Sequence, residues 1–262
     1  MSENIWKTAI TKVEPNKILI RGYPINRLMG KASFGQMVYL LFKGEFPSKN
    51  EGKMIEAILT SSVDHGVTPP SVLSALTVAS TGSPLNAAVA AGTLAISKFH
   101  GGAIEDCMLI LKEIQKLKEN ENLTIDEAAA KTILAYKEKK KKISGFGHRV
   151  HTNDPRTAKL FQLAEEWNIN GEYIEIARIL ETKLEEITRR KLPINVDGAI
   201  GAVLCNMDFD SQLANAFFMI ARLPGMVAHI IEEKIRQRPM RKIDPANNEY
   251  DGPEERSIPE NL

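Results

Sequence analysis

A mostly helical fold is what this sequence predicts, and three observations carry the prediction. From Phe34 onward apolar residues recur at helical spacing, with Phe34, Val38, Leu41 and Phe42 on one face and Met54, Ile55, Ile58 and Leu59 on the next. Helix-start chemistry precedes several of these segments. Residues rich in β-branching gather in one stretch only, 8–22.

Taken in order, residues 8–22 are broken at Pro15-Asn16, which predicts a short N-terminal β-hairpin or extended arm. Ser83-Pro84 opens a helix over residues 85–99, with Ser83 as N-cap and Pro84 at the first helical position. Thr124-Ile125-Asp126-Glu127 has the capping-box spacing ahead of an Ala-rich helix. The lysine run at 137–142 reads in two ways: a solvated helix end, where cations suit the dipole, or a phosphate contact beside the turn that follows. At least seven helices follow from these patterns. From Asp244 the chain turns Pro-, Asn- and Glu-rich, too polar to build core, so 244–262 reads as a tail. There is no internal repeat.

The chain of 262 residues, 43% apolar and 26% charged, suits one large domain or two small ones. A formal charge of +1 supplies no long-range field for nucleic acid or an anionic membrane, so neither partner is expected. Cys107 and Cys205 sit inside apolar helical patterns and read as buried structural thiols in a reducing compartment. Met1-Ser2-Glu3-Asn4-Ile5-Trp6-Lys7 lacks the basic start and apolar run of a signal peptide. The most apolar stretch is read as 85–96, far short of the ~20 residues of a membrane span, and a cytoplasmic protein is expected.

Chemistry concentrates in Gly145-Phe146-Gly147-His148-Arg149-Val150-His151-Thr152-Asn153-Asp154-Pro155-Arg156. A GxG without a preceding parallel strand and an opening helix is not a dinucleotide loop. Glycines beside a histidine do permit close backbone approach to a ligand, and His148 is the side chain suited to move protons near neutral pH. Downstream, Asn195-Val196-Asp197-Gly198 precedes the apolar helical residues 199–204. Asp197 is either the cap of that helix or a general base for a carbon acid, and spacing alone favours the cap. His65, His100, His148 and Asp197 lack the i, i+4 arrangement of a helical zinc site, and no metal is expected.

Ordered motifs give the chain a family resemblance. Ile18-Leu19-Ile20-Arg21-Gly22-Tyr23-Pro24-Ile25 with Leu28, then Phe34, Tyr39-Leu40-Leu41, Gly44 and Pro47, resembles the opening of bacterial citrate synthases. His100-Gly101-Gly102-Ala103, the 145–156 turn, Asn195-Val196-Asp197, Ala221-Arg222-Leu223 with Gly225 and His229, and Arg238-Pro239 resemble the later motifs of the citrate synthase superfamily, in order. There are departures. Fewer than twenty residues separate Pro47 from Asp64-His65, where synthases carry a long helical stretch, and the His148 turn is one residue shorter. His65 and Asp197 are each followed by glycine. The shortening and these glycines resemble instead the citryl-CoA lyase module at the C-terminus of ATP-citrate lyase.

The resemblance implies a compact, obligately oligomeric multi-helix fold, with a catalytic domain over 1–243 and a tail over 244–262 that packs on a partner subunit. It implies cleavage of citryl-CoA to oxaloacetate and acetyl-CoA. His148 would take the hydroxyl proton, His100 would stabilise the enol oxygen, and Asp197 would return a proton to the methyl carbon. Arg156, Arg222 and Arg238, with His65, would hold carboxylates; Lys140, Lys142, Gly145, Gly147 and Arg149 are candidate contacts to CoA. CoA thioester is expected as substrate, with no tightly bound cofactor. A homodimer or dimer of dimers is expected, with active sites near the interface. His229 is expected as a packed, hydrogen-bonded helix histidine. A compact citrate synthase is the alternative, and a non-catalytic acyl-CoA-binding subunit a third, disfavoured by the retention of His100, His148 and Asp197 together.

Overall fold

The computed structural model describes residues 6–147, 154–240 and 251 of the chain. His148, Arg149 and His151 lie outside the described residues, as does the tail beyond Met240 apart from Asp251.

The N-terminal segment is the expected hairpin: β1 (Thr11–Glu14) pairs antiparallel with β2 (Lys17–Ile20) across Pro15-Asn16, and Asn16 turns the chain at φ 60°. A third strand that the sequence reading missed, β3 (Tyr23–Pro24), adds to β2 through two residue pairs. Everything described beyond it is helical or loop: α1 (Ile25–Leu28), α2 (Phe34–Lys43), α3 (Lys49–Ser61), α4 (Pro70–Ser80), α5 (Leu85–Leu94), α6 (Ala103–Glu121), α7 (Ile125–Glu138), α8 (Pro155–Glu166), α9 (Glu172–Thr188), α10 (Val196–Asn206) and α11 (Ala214–Arg236).

Capping chemistry explains where many of these begin. Ser33, Ser48 and Thr124 each form a capping box, with Gln36, Glu51 and Glu127 reaching back to the cap N–H. The expectation at Ser83-Pro84 is corrected. Pro84 is itself the N-cap, and the Ser83 hydroxyl pairs with Thr81 Oγ1 at 3.1 Å instead of capping. That helix also stops at Leu94, not near 99, because residues 97–102 fold into a tight turn: Ser97 and His100 exchange backbone hydrogen bonds of 2.8 Å in both directions.

The helices bury two apolar clusters. The large one gathers α2, α3, α6, α7, α8, α9, α10 and the first half of α11; the small one joins Ala75 and Ala79 of α4, Ala88 of α5, and Met226 and Ile230 of α11. Within the large cluster α10 is the central rod, every residue from 198 to 205 buried, packed by α6, α8 and α9. A helix apolar all round belongs in a core. Cys107 and Cys205 lie in this cluster as free buried thiols, with burial pushing Cys205 up to about 12 and Cys107 likewise upward.

A longer apolar segment than 85–96 lies near the end of the described chain. Residues 211–236 hold an 18-residue window of mean hydropathy 1.4 and are long and apolar enough to cross a membrane by length and composition. In the fold α11 packs on α3, α4, α5 and α6, and it carries a buried arginine, Arg222, between the two clusters.

Candidate active site

The seam between the two clusters brings Arg222, Phe218 and His100 together. α11 belongs to both, and the 97–102 turn joins α5 of the small cluster to α6 of the large one. A boundary between packed units is a common place for a ligand cleft.

Arg222 is the hub. It is 3% exposed, its Nε donates to Ser62 O at 2.9 Å, and its guanidinium lies 4.8 Å from the ring centre of Phe218, one turn earlier. The Nη1 atom is buried without a hydrogen-bond partner among the described residues. An unmade bond on a buried cation costs about 1–3 kcal/mol, which an anion binding there would recover. Phe218 also meets the imidazole of His100 edge-on, at 5.4 Å between ring centres. One aromatic ring thus touches both an imidazole and a guanidinium.

His100 is held by the 97–102 turn and by Nε2, which pairs with the buried Ser71 hydroxyl at 2.8 Å. Burial first, then the positive charge of Arg222, depress its pKa, so near neutral pH the ring is uncharged. A neutral imidazole with one nitrogen fixed by Ser71 presents the other as a hydrogen-bond partner to a ligand oxygen.

Asp197 opens α10. The expectation that it caps this helix is overturned: Asn195 is the N-cap, and its Oδ1 accepts the N–H groups of Asp197 and Gly198 at 3.0 and 3.1 Å. The carboxylate is therefore left for other work. Burial pushes it up to about 6, while Arg156 and Arg222 pull the other way and Asp154 adds to the rise. A carboxyl that titrates near neutrality can give or take a proton.

Arg156 is largely committed within the chain. Its Nε and Nη2 grip the two oxygens of Asp154 at 3.0 and 2.8 Å, and the buried Asp154 also accepts from Val196 N–H at 3.2 Å. Burial works against this carboxylate, but the Arg156 and Val196 bonds hold it below the usual range. Arg156 is thus a fork on an internal carboxylate that ties α8 to the start of α10, while its charge still reaches Asp197 and Arg222. It also lines an apolar groove of about 640 Å³ between α3 and α8, with Leu160, Leu163 and Trp167. That groove includes none of His100, Asp197 and Arg222.

Gly145 and Gly147, at φ +88° and +81°, use their backbone groups on the segment before α10. Gly145 O accepts from Asn195 N–H at 3.0 Å, Gly147 N–H donates to Pro193 O at 2.7 Å, and Gly147 O accepts from Asn195 Nδ2 at 2.8 Å. A Cβ at Gly198 would fall 2.3 Å from Gly145 O. The glycine after Asp197 thus lets the 145–147 turn lie directly on the α10 N-terminus.

The remaining candidates fall elsewhere. Lys140 and Lys142 are exposed beyond the end of α7, and His65 is exposed in the loop between α3 and α4, whose Asp64 engages His229. Arg238 lines a cavity of about 250 Å³ with Ser80, Glu233 and Gln237. Arg222 to Arg236 alone spans about 21 Å of helix, so Arg238 and Arg222 of one chain cannot grip the same small anion.

A profile described as "Citrate synthase, C-terminal domain" matches residues 2–58 and 47–243. The chain belongs to the citrate synthase family. Citrate synthase 2 of Bacillus subtilis (strain 168) is 31% identical over 221 residues, 82% of this chain and 55% of that protein. The citrate synthase of Synechocystis sp. is 36% identical over 203 residues, 75% of this chain and 48% of that one. This family member spans about half the length of the curated relatives it matches. Among solved structures it is similar to citryl-CoA lyase from Hydrogenobacter thermophilus, with TM-score 0.88, 40% identity and 98% of each chain covered. It shares its fold with a mutant ATP citrate lyase from Methanosaeta concilii solved with (3S)-citryl-CoA, at TM-score 0.82 and 21% identity, over 97% of this chain and 43% of that one.

Within this citrate synthase fold, several supporting residues escaped sequence reasoning. Ser71, Phe218 and Asp154 act through contacts between distant or unassigned positions. Phe218 carried one usable signal, its i, i+4 spacing to Arg222.

Proposed function

We propose that this protein is a citryl-CoA lyase, cleaving citryl-CoA to oxaloacetate and acetyl-CoA without hydrolysing the thioester. The observation that carries the reading is the end-to-end likeness to citryl-CoA lyase at 40% identity, 98% of each chain, and His100 and Arg222 both packed on Phe218 support it.

Cleavage needs three services: removal of the tertiary hydroxyl proton, a home for negative charge on the thioester oxygen, and a proton for the emerging methyl carbon. By this reading His148 serves the first. Neutral His100, fixed by Ser71, donates to the enol oxygen, a role worth ~3–4 kcal/mol of barrier in comparable sites. Asp197 is the proton source, and a pKa pushed up to about 6 suits it to carry that proton before the bond breaks. Arg222, with its unpartnered Nη1, holds one carboxylate. Arg156 contributes positive potential and orients Asp154. His65 and the lysines near 140 are assigned to the carboxylate and CoA ends. Arg238 is assigned to a neighbouring subunit's site, in a homodimer or dimer of dimers.

Citrate synthase is the second reading, favoured by the curated relatives. Purified protein given citryl-CoA distinguishes them. Oxaloacetate and acetyl-CoA support the lyase; free CoA with citrate, formed from oxaloacetate and acetyl-CoA, supports the synthase; inactivity in both with CoA still bound supports an acyl-CoA-binding subunit.

A further inference from the structure

α11 touches the segment after α3 at three points along one stripe. Arg222 Nε donates to Ser62 O at 2.9 Å. Gly225 backs onto the next residues so closely that a Cβ there would fall 2.3 Å from Val63 O and 2.9 Å from Asp64 Cβ. His229 Nε2 pairs with Asp64 Oδ1 at 3.0 Å. Positions 222, 225 and 229 share a helix face, and their partners run consecutively through residues 62, 63 and 64.

Asp64 joins this zipper to the loop beyond it. Its second oxygen accepts from Gly66 N–H at 3.0 Å, and partial burial is outweighed by the Gly66, His229 and His65 bonds, which hold the carboxylate below its usual range. Ser62, the carbonyl that fixes Arg222, is the C-cap of α3, where the helix's own hydrogen bonds run out. Nothing in α3 itself stops that carbonyl from swinging away. The contacts at Asp64 do.

We propose that Asp64 and His229 form a positioning latch for anion binding: by pinning residues 62–66 to α11 they keep Ser62 O on Arg222 Nε, and so hold the guanidinium with its Nη1 in place. Neither residue touches substrate, so both are positioning residues. The identity of the anion, a dicarboxylate such as oxaloacetate, rests on the proposed function above.

The test compares wild type with His229→Ala, His229→Gln and Gly225→Ala. Each is followed by hydrogen–deuterium exchange of the 62–66 backbone, by calorimetric titration with oxaloacetate and separately with CoA, and by citryl-CoA cleavage. His229→Ala is expected to speed exchange in 62–66 and to weaken oxaloacetate about tenfold while CoA affinity stays within about twofold. His229→Gln, which keeps a donor, restores most of the affinity. Gly225→Ala removes no hydrogen bond yet gives the same split, because its Cβ displaces Val63. Unchanged exchange in His229→Ala overturns the latch whatever the substrate. Faster exchange with unchanged oxaloacetate affinity overturns its link to Arg222, and an equal loss of oxaloacetate and CoA affinity marks general loosening and also overturns it. Wild-type protein that leaves citryl-CoA uncleaved contradicts the proposed function instead, while the exchange result still decides the latch.

Discussion

Asn195 Oδ1 accepts the backbone N–H of Asp197 at 3.0 Å, so the residue two places earlier performs the capping that Asp197 was expected to perform. The division of labour frees a carboxylate at a helix N-terminus inside a largely buried seam. Replacing Asn195 with Ala removes the cap, at about 1 kcal/mol, and for a chain of this size that lowers Tm by roughly 2–4 °C. Thermal melts of wild type and Asn195→Ala check it. Turnover is expected to fall as well, because the uncapped N–H groups of Asp197 and Gly198 then compete for the carboxylate.

Asp197 also leaves a signature in stability. Its pKa rises from 3.8 to about 6 on folding, so between those values the folded chain binds more protons than the unfolded one. Stability contributed by this group is full below about pH 4 and is lost as pH climbs past 6, on the order of 2–3 kcal/mol in all. Asp197→Asn is therefore expected to melt higher than wild type at pH 7 and to lose that advantage at pH 4. Melting curves across this range that run parallel for the two proteins contradict the assignment.

The same titration marks the activity profile. Cleavage gives up the hydroxyl proton and takes one at the methyl carbon, so it has no net proton change and kcat/KM for cleavage and for condensation share one pH profile; ionisation of Asp197 is expected to put an inflection near pH 6 in it. Initial rates in both directions on one preparation supply the comparison. A shared profile with no inflection in this region removes Asp197 from the proton step.

The close stacking of Gly198 on Gly145 O predicts a severe effect from one methyl group. Gly198→Ala places a Cβ 2.3 Å from that oxygen and must displace either the 145–147 turn or α10. The expected cost is about 1–3 kcal/mol of stability. Turnover is expected to fall by more than stability explains, since the turn leads directly into His148. Chemical denaturation alongside steady-state kinetics separates the two effects.

Much of the fold was legible in the sequence, for physical reasons that particular residues make plain. Helical periodicity at Phe34, Val38 and Leu41, and the box at Thr124 and Glu127, are local properties, and the helix and the box both form, although Phe34 stays exposed and the buried face of α2 centres on Val38, Tyr39 and Leu40. The end of α5 was not legible. Residues 95–99 are acceptable in a helix, and only the Ser97–His100 pairing shows that the chain turns there. Arg222 could be named by motif, but its burial and orphaned nitrogen arise from Ser62, 160 residues away in sequence. Arg156 is a candidate carboxylate clamp by resemblance, and its fork on Asp154, two residues away in the same motif, shows only in the folded chain. Spacing alone favours Asp197 as the cap, but Asn caps a helix as well as Asp does, and only the folded α10 terminus shows Asn195 in that role.

Arg222 predicts a loss confined to one half of the substrate. Arg222→Ala is expected to weaken oxaloacetate by about 10- to 100-fold, the usual worth of a charge-assisted bond, with CoA affinity little changed. Arg222→Lys is expected to recover only part, because an ammonium cannot donate to Ser62 O, stack on Phe218 and reach a carboxylate together. Equal weakening of both ligands by Arg222→Ala contradicts this assignment.

The proton carried by Asp197 is tested most directly by running citryl-CoA cleavage in deuterium oxide and reading the acetyl methyl group by mass spectrometry. Wild type is predicted to release acetyl-CoA carrying one deuteron, and Asp197→Asn to bind oxaloacetate and CoA normally yet release almost none. Asp197→Asn that forms singly deuterated acetyl-CoA at close to the wild-type rate contradicts the mechanism.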